Sequence, residues 1–176
     1  MKMITENDLK VLFSEEEIQN GIKNLGAKLN EVYGQEELYL ICVLKGSVMF
    51  MVDLSKHLKM PLRMEFIRLS SYGSGFTSTG RVNAVDISLP DLNGKNVLIV
   101  EDIIDTGHTA KFLVDFINNN FKVKSLNFCS LLDKKVKREV EIDADYYCFE
   151  IDDKFLVGYG LDYDGYYRNL PYIGYV

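Results

Sequence analysis

Asn96-Val97-Leu98-Ile99-Val100-Glu101-Asp102-Ile103-Ile104-Asp105-Thr106-Gly107-His108-Thr109 is the stretch on which the fold turns. Residues 97–100 form the apolar run that a strand covered on both faces requires, and two acids follow without a spacer. That spacing puts Glu101 and Asp102 at the strand's carboxyl end, where open α/β sheets hold their ligands. Asp105, Thr106, Gly107, His108 and Thr109 then lead into a helical pattern over 110–118, with Phe112, Leu113, Phe116 and Ile117 apolar. A turn containing glycine that feeds a helix N-terminus offers unpaired backbone N–H groups and the positive end of a dipole, which together suit a phosphate. The plainer reading makes Asp105 or Thr109 a helix cap. Acids, glycine and hydroxyls gathered at one strand-loop-helix corner favour a phosphorylated sugar instead. The chain has no G-x-x-x-x-G-K-S/T and no strand leading into G-x-G-x-x-G, so neither a triphosphate loop nor a dinucleotide fingerprint is present.

Composition bounds the rest. At 176 residues, 47% of them apolar and 26% charged, the chain fits one soluble domain over 1–176. A formal net charge of -6 argues against a nucleic-acid partner. No apolar run approaches the roughly 20 residues of a membrane span, and the start, Met1-Lys2-Met3-Ile4-Thr5-Glu6, has no signal-peptide core; the expected compartment is the cytoplasm. Cys42, Cys129 and Cys148 each lie in an apolar run without metal-ligand spacing and read as reduced core thiols. His57 and His108 stand isolated and make a poor zinc site.

Ser14 with Glu17 predicts a capping box, and Ile18, Ile22, Leu25 and Leu29 follow at helical spacing. Residues 38–44 predict a buried parallel strand ending at Lys45-Gly46-Ser47, before a helix carrying Val48, Phe50, Met51 and Leu54. Residues 62–69 predict a strand that opens into a Gly/Ser/Thr-rich segment, about 70–80, which reads as a lid that excludes water, with 81–87 returning as its partner. Residues 123–132 predict another strand, closing in the densest basic run, 133–138, where Lys134 and Arg138 have uses in an anionic site. A further strand at 146–149 precedes a segment led by Phe155 and ended by Asp162.

The two acids followed by Asp105-Thr106-Gly107-His108-Thr109 closely resemble the PRPP-binding signature of purine phosphoribosyltransferases. With Lys45-Gly46, Lys134 and Phe155 in the same order, the chain is similar to hypoxanthine-guanine phosphoribosyltransferases over essentially its whole length. The resemblance implies the type I fold: a central, mostly parallel sheet flanked by helices, a two-stranded lid, and a small hood over the purine at about 150–176. It also implies roles. Lys45 and Gly46 belong to the pyrophosphate loop, where the peptide before the lysine is cis in the family, and Ser71 and Tyr72 to the closing loop. Glu101 and Asp102 would meet the ribose hydroxyls, and with Asp162 they would serve magnesium. Residues 105–109 would hold the 5'-phosphate, and Asp105 would act on the purine. Lys134 would donate to the 6-oxo group, Phe155 would stack on the base, Leu156 and Asp162 would border it, and Arg138 and Arg168 would lie near the pyrophosphate. His108 and Lys135 depart from the family's usual residues without removing a catalytic group.

The activity so implied is magnesium-dependent transfer of a phosphoribosyl group from PRPP to hypoxanthine or guanine, by a homodimer or homotetramer. Two other classes use similar parts. A regulatory PRPP sensor that binds nucleic acid needs a broad basic surface, and the basic run here is confined to residues 134–138. A magnesium-dependent phosphohydrolase has no use for Phe155 and Lys134 in a purine-sized arrangement.

Overall fold

The computed structural model of the protein describes residues 8–71 and 82–175. Their order is β1 (Lys10–Phe13), α1 (Glu15–Tyr33), β2 (Leu38–Leu44), α2 (Val48–His57), β3 (Leu62–Ser71), β4 (Val82–Asp86), β5 (Asn96–Ile104), α3 (His108–Asn120), β6 (Ser125–Asp133), a 3-10 turn (Lys135–Lys137), β7 (Tyr146–Glu150), β8 (Leu156–Val157) and β9 (Ile173–Tyr175). Of the expected lid, Ser71 ends β3, while Tyr72 and the residues after it up to Gly80 lie outside the described residues.

Helix α1 begins where the sequence places its cap. The Ser14 N–H donates to Glu17 Oε2 at 2.8 Å and the Glu17 N–H donates to Ser14 Oγ at 3.3 Å, so each satisfies a donor the first turn would leave unpaired. Its buried stripe, Ile18, Ile22, Leu25 and Leu29, follows the 3.6-residue period. Six strands form one sheet in the order β4-β3-β2-β5-β6-β7; β3 and β4 pair antiparallel and the other neighbours are parallel. Alternation sorts the strand residues between two layers. Leu38, Leu40, Cys42, Leu98 and Val100 pack with α1 and α2, whereas Tyr39, Ile41, Val43, Val97 and Ile99 pack with α3.

The chain leaves β2 for β3 on one side and β5 for β6 on the other. The crevice at this reversal therefore lies between the carboxyl ends of β2 and β5, the place where open α/β sheets bind ligands. A second sheet, β1-β9-β8, joins the start of the chain to its end, with Lys10 opposite Tyr175 and Leu156 opposite Tyr175. The hood strands thus recruit residues 10–13, which the sequence reading did not include. The cysteines are free, with Cys42 and Cys129 buried and Cys148 half-buried. Among the described residues no helix is long and apolar enough to cross a membrane.

Candidate active site

Strand β5 does not stop at its acids. It pairs with β6 through Glu101 opposite Ser130 and on to Ile104 opposite Asp133, so both carboxylates lie inside the strand and alternation separates them. This corrects the expectation that the pair shares the strand's end. Glu101 continues the face of Val97 and Ile99 and lines a cavity of about 80 Å³ with residues of the 105–110 turn. Asp102 continues the face of Leu98 and Val100 and lies under Gly46: a Cβ on that glycine would fall 1.6 Å from Asp102 Oδ2. Burial, and then the neighbouring Asp102, holds the Glu101 carboxyl well above the usual carboxylate range. Burial pushes Asp102 up to about 6, with Asp162 adding to that push, against hydrogen bonding from Ile103 and the positive Arg168.

The turn after β5 answers the capping question. Gly107 is the N-cap of α3, at φ +89°, and makes no side-chain cap bond, so neither Asp105 nor Thr109 is spent on the helix. Asp105 Oδ1 is buried without a hydrogen-bond partner, and its Oδ2 is 3.7 Å from Lys134 Nζ. The Lys134 side chain is 7% exposed and also donates to Lys154 O at 3.1 Å and Asp153 Oδ1 at 3.4 Å. Phe155, next in the chain, is 49% exposed and meets Tyr163 edge-on, with ring centroids 5.7 Å apart. An acid with a free buried oxygen, a lysine held beside it and an open aromatic face thus converge at one end of the sheet.

Each of the two arginines is held by an acid. Arg138 does not enter the loop; it lies behind it, pairing with the fully buried Asp133 and donating to the carbonyls of Ile142 and Asp105. The Glu139 N–H donates to Thr106 O at 2.9 Å, and His108 Nε2 lies 2.9 Å from Glu139 Oε2, so residues 138–142 brace the turn from below. Arg168 pairs with Asp162 at 2.6 Å and donates to Gly160 O at 2.6 Å. Asp162 also accepts from the Gly165 N–H at 2.7 Å. Lys45 is exposed, Gly46 and Ser47 are buried, and the Leu44-Lys45 peptide is cis. Leu156 is buried in β8. Asp133, Gly160 and the pair Asp53 and Tyr159 received no role from sequence. Asp133 had a signal, an acid that follows an apolar run as Glu101 does, but the others act through contacts distant in the chain. Larger grooves, about 450 and 530 Å³, touch none of these groups.

Among the described residues no three acids, histidines or cysteines form a protein cage for a metal. Asp162 nonetheless lies close enough to Asp102 to help raise its carboxyl. A pair of hard oxygen donors of this kind fits magnesium, which keeps water and phosphate oxygens in its shell.

Strand order, the reversal between β2 and β5, and a turn of phosphate type define the class, a type I phosphoribosyltransferase fold. The sequence profile of the phosphoribosyl transferase domain matches residues 12–164. A hypoxanthine-guanine phosphoribosyltransferase of Streptococcus pneumoniae (strain ATCC BAA-255 / R6) is 48% identical over 170 residues, covering 96% of this chain and 94% of the relative. One from Streptococcus thermophilus (strain CNRZ 1066) is 42% identical over 172 residues, with 98% and 95% covered. The crystal structure of a hypoxanthine phosphoribosyltransferase from Staphylococcus aureus superposes with a TM-score of 0.92 at 45% identity, covering 100% of this chain and 96% of that one. The chain belongs to the phosphoribosyltransferase family, among its hypoxanthine-guanine enzymes. The resemblance carried by residues 101–109 and the mostly parallel α/β fold are both borne out.

Proposed function

We propose that the protein transfers the 5-phosphoribosyl group of PRPP to a 6-oxopurine, hypoxanthine or guanine, releasing pyrophosphate in a magnesium-dependent reaction. The observation that carries this reading is the Asp105, Lys134 and Phe155 constellation, beside a turn whose helix has no side-chain cap. A lysine ammonium has three donors and no acceptor, so Lys134 favours a 6-oxo group and opposes the 6-amino group of adenine. Asp105, with one oxygen against that ammonium and the other buried and unpaired, is suited to take a proton from the purine at N7. Phe155 offers its face to the base, and the backbone at Leu156, with Asp162, borders it. Residues 105–109 would receive the 5'-phosphate and Lys45 with Gly46 the pyrophosphate, with Ser71 and Tyr72 belonging to the loop that closes over both. Glu101 and Asp102 would meet the ribose hydroxyls. Asp102 and Asp162 would hold magnesium, which when bound offsets the negative charge gathering on the leaving pyrophosphate.

Support for a homodimer or homotetramer comes from Met64 and Phe66, 40% and 46% exposed on β3 of a mostly parallel sheet, where such faces are ordinarily covered. A monomeric mass by light scattering at micromolar protein removes that part of the reading. The activity is tested by following nucleotide formation from PRPP and magnesium with hypoxanthine, guanine, xanthine and adenine in parallel. Turnover of a 6-oxopurine that stops without magnesium is expected. Equal rates with adenine would refute the role of Lys134, and PRPP binding without turnover on any base would point to a sensor.

A further inference from the structure

Gly46 is gripped from two sides. Its backbone lies against Asp102, and a Cβ on Gly160 would fall 1.9 Å from Gly46 O, so the two backbones touch where no side chain fits. Something must hold Gly160 there. The turn is built from Gly158 at φ +98°, Tyr159 at φ +49° and Gly160 at φ +100°. Tyr159 is the exception among these residues, since a side chain disfavours that backbone region and the surroundings must impose it.

Bonds between Gly160 and Arg168, and from the Tyr159 N–H to Leu170 O, close the turn on itself, and the Tyr159 side chain ties it to a helix. The Tyr159 ring is 6% exposed and its hydroxyl donates to Asp53 Oδ2 at 2.6 Å. Asp53 lies on α2 and accepts from Gln19 of α1 at 2.9 Å and from Lys56 at 2.6 Å. Burial alone would raise the Asp53 carboxyl, yet the bonds from Lys56, Tyr159 and Gln19 leave it below its ordinary value, so it is a charged acceptor. Ser47, the residue after Gly46, is the N-cap of this same α2. One helix therefore carries the loop on its N-terminus and, further along, the tether that presses Gly160 onto that loop.

We propose that Tyr159 and Asp53 are positioning residues for the pyrophosphate loop: their hydrogen bond fixes Gly160 against the Gly46 carbonyl and so sets the Lys45-Gly46 peptide relative to Asp102. This rests on the reading that the Lys45-Gly46 loop takes pyrophosphate. Neither side chain touches the reacting atoms; each acts on where the loop sits, and small displacements of such a loop weaken binding steeply.

The test compares Tyr159→Phe, Asp53→Ala, Asp53→Asn and Lys45→Ala. It reads pyrophosphate binding with magnesium by calorimetry, KM for PRPP, pyrophosphate and purine, and thermal stability. Tyr159→Phe and Asp53→Ala should each weaken pyrophosphate and raise KM for PRPP about fivefold or more, a part of what one charge-assisted hydrogen bond contributes, while purine KM moves less than about twofold. Asp53→Asn keeps an acceptor and should restore most of the affinity, and the double variant should be no worse than either single one. Unchanged pyrophosphate affinity in Tyr159→Phe, or equal shifts for purine and pyrophosphate that track lost stability, would overturn the inference. If Lys45→Ala weakens pyrophosphate and Tyr159→Phe does not, the tether alone fails. If Lys45→Ala leaves pyrophosphate binding intact, the reading of the loop fails and the inference with it.

Discussion

The corner after β5 is braced by ion pairs between side chains, whereas the corner after β2 is held by close approach to the backbone of a glycine. At residues 105–109 the turn is braced by Arg138 against buried Asp133, by His108 with Glu139, and by Lys134 between Asp105 and Asp153. At residues 45–47 the loop is wedged by Asp102 on one side and the Gly160 backbone on the other. Charge can be tuned residue by residue and leaves a trace in composition. Close backbone approach admits only glycine, and it ties three segments of the chain into one object. The corner proposed to handle the purine and the 5'-phosphate is thus electrostatic in its support, and the corner proposed for pyrophosphate is steric.

The largest effects should fall on the electrostatic corner. Asp105→Asn keeps the shape and removes the base, and turnover should drop about 10²- to 10⁴-fold with PRPP binding largely kept. A steady-state assay showing less than about a threefold loss would defeat the assignment. Arg138→Met tests the brace rather than the chemistry. It would leave Asp133, fully buried, with no cation, and breaking such a pair from one side costs about 3–5 kcal/mol, read as a lower urea midpoint. Arg168→Met, whose partner Asp162 is 30% exposed, should cost only about 1 kcal/mol by the same measurement. Similar losses for the two arginines would erase the distinction between a buried brace and a surface clasp.

The steric corner is tested by adding one carbon. Gly160→Ala forces a Cβ onto the Gly46 carbonyl and a disfavoured φ on alanine, and about 2–4 kcal/mol should be lost, with KM for PRPP rising. Gly94→Ala, at φ +69° with nothing within 4 Å of the new carbon, is the control and should cost about 1 kcal/mol without touching KM. Equal melting temperatures for the two variants would show that the Gly46 and Gly160 contact is not tight.

The same division explains what could be read from sequence. The apolar runs of β2 and β5, the capping box before α1 and the 101–109 signature are local patterns, and they led to the fold, the family and the corner that holds Asp105. The split of Glu101 from Asp102 was missed because the strand was ended at its first acid, although β pairing continues to Ile104. The pairing of Arg138 with Asp133 left no local trace, because Asp133 is a strand-end acid whose burial depends on the packed sheet. Gly160 is more than a hundred residues from Gly46, and a glycine carries no record of what it touches. Strand β1 joins the hood through a pairing between the two ends of the chain that no local pattern reports.

A last expected effect, spread over several pH units, couples the corners through Asp102, which underlies Gly46 yet belongs to β5. Its carboxyl titrates at about 6 in the folded metal-free protein, above its unfolded value near 4, because burial disfavours the charge and Asp162 adds to this. Between those values the folded state holds the proton that the unfolded state has released. This contribution to stability is therefore complete below about pH 4 and lost as pH rises through about 6. About two pKa units at about 1.4 kcal/mol each set its upper limit at about 3 kcal/mol. Glu101, pushed up in the same sense by burial and by the neighbouring Asp102, adds to the decline. Denaturant titrations of metal-free protein should accordingly give a lower unfolding free energy at pH 7 than at pH 5, and Asp102→Asn should flatten the difference. If magnesium with pyrophosphate engages the ionised Asp102, ligand-induced stabilisation should be greater at pH 7 than at pH 5.5. A ligand effect that ignores pH across that interval would place the cation elsewhere and leave the backbone wedge at Gly46 without an electrostatic partner.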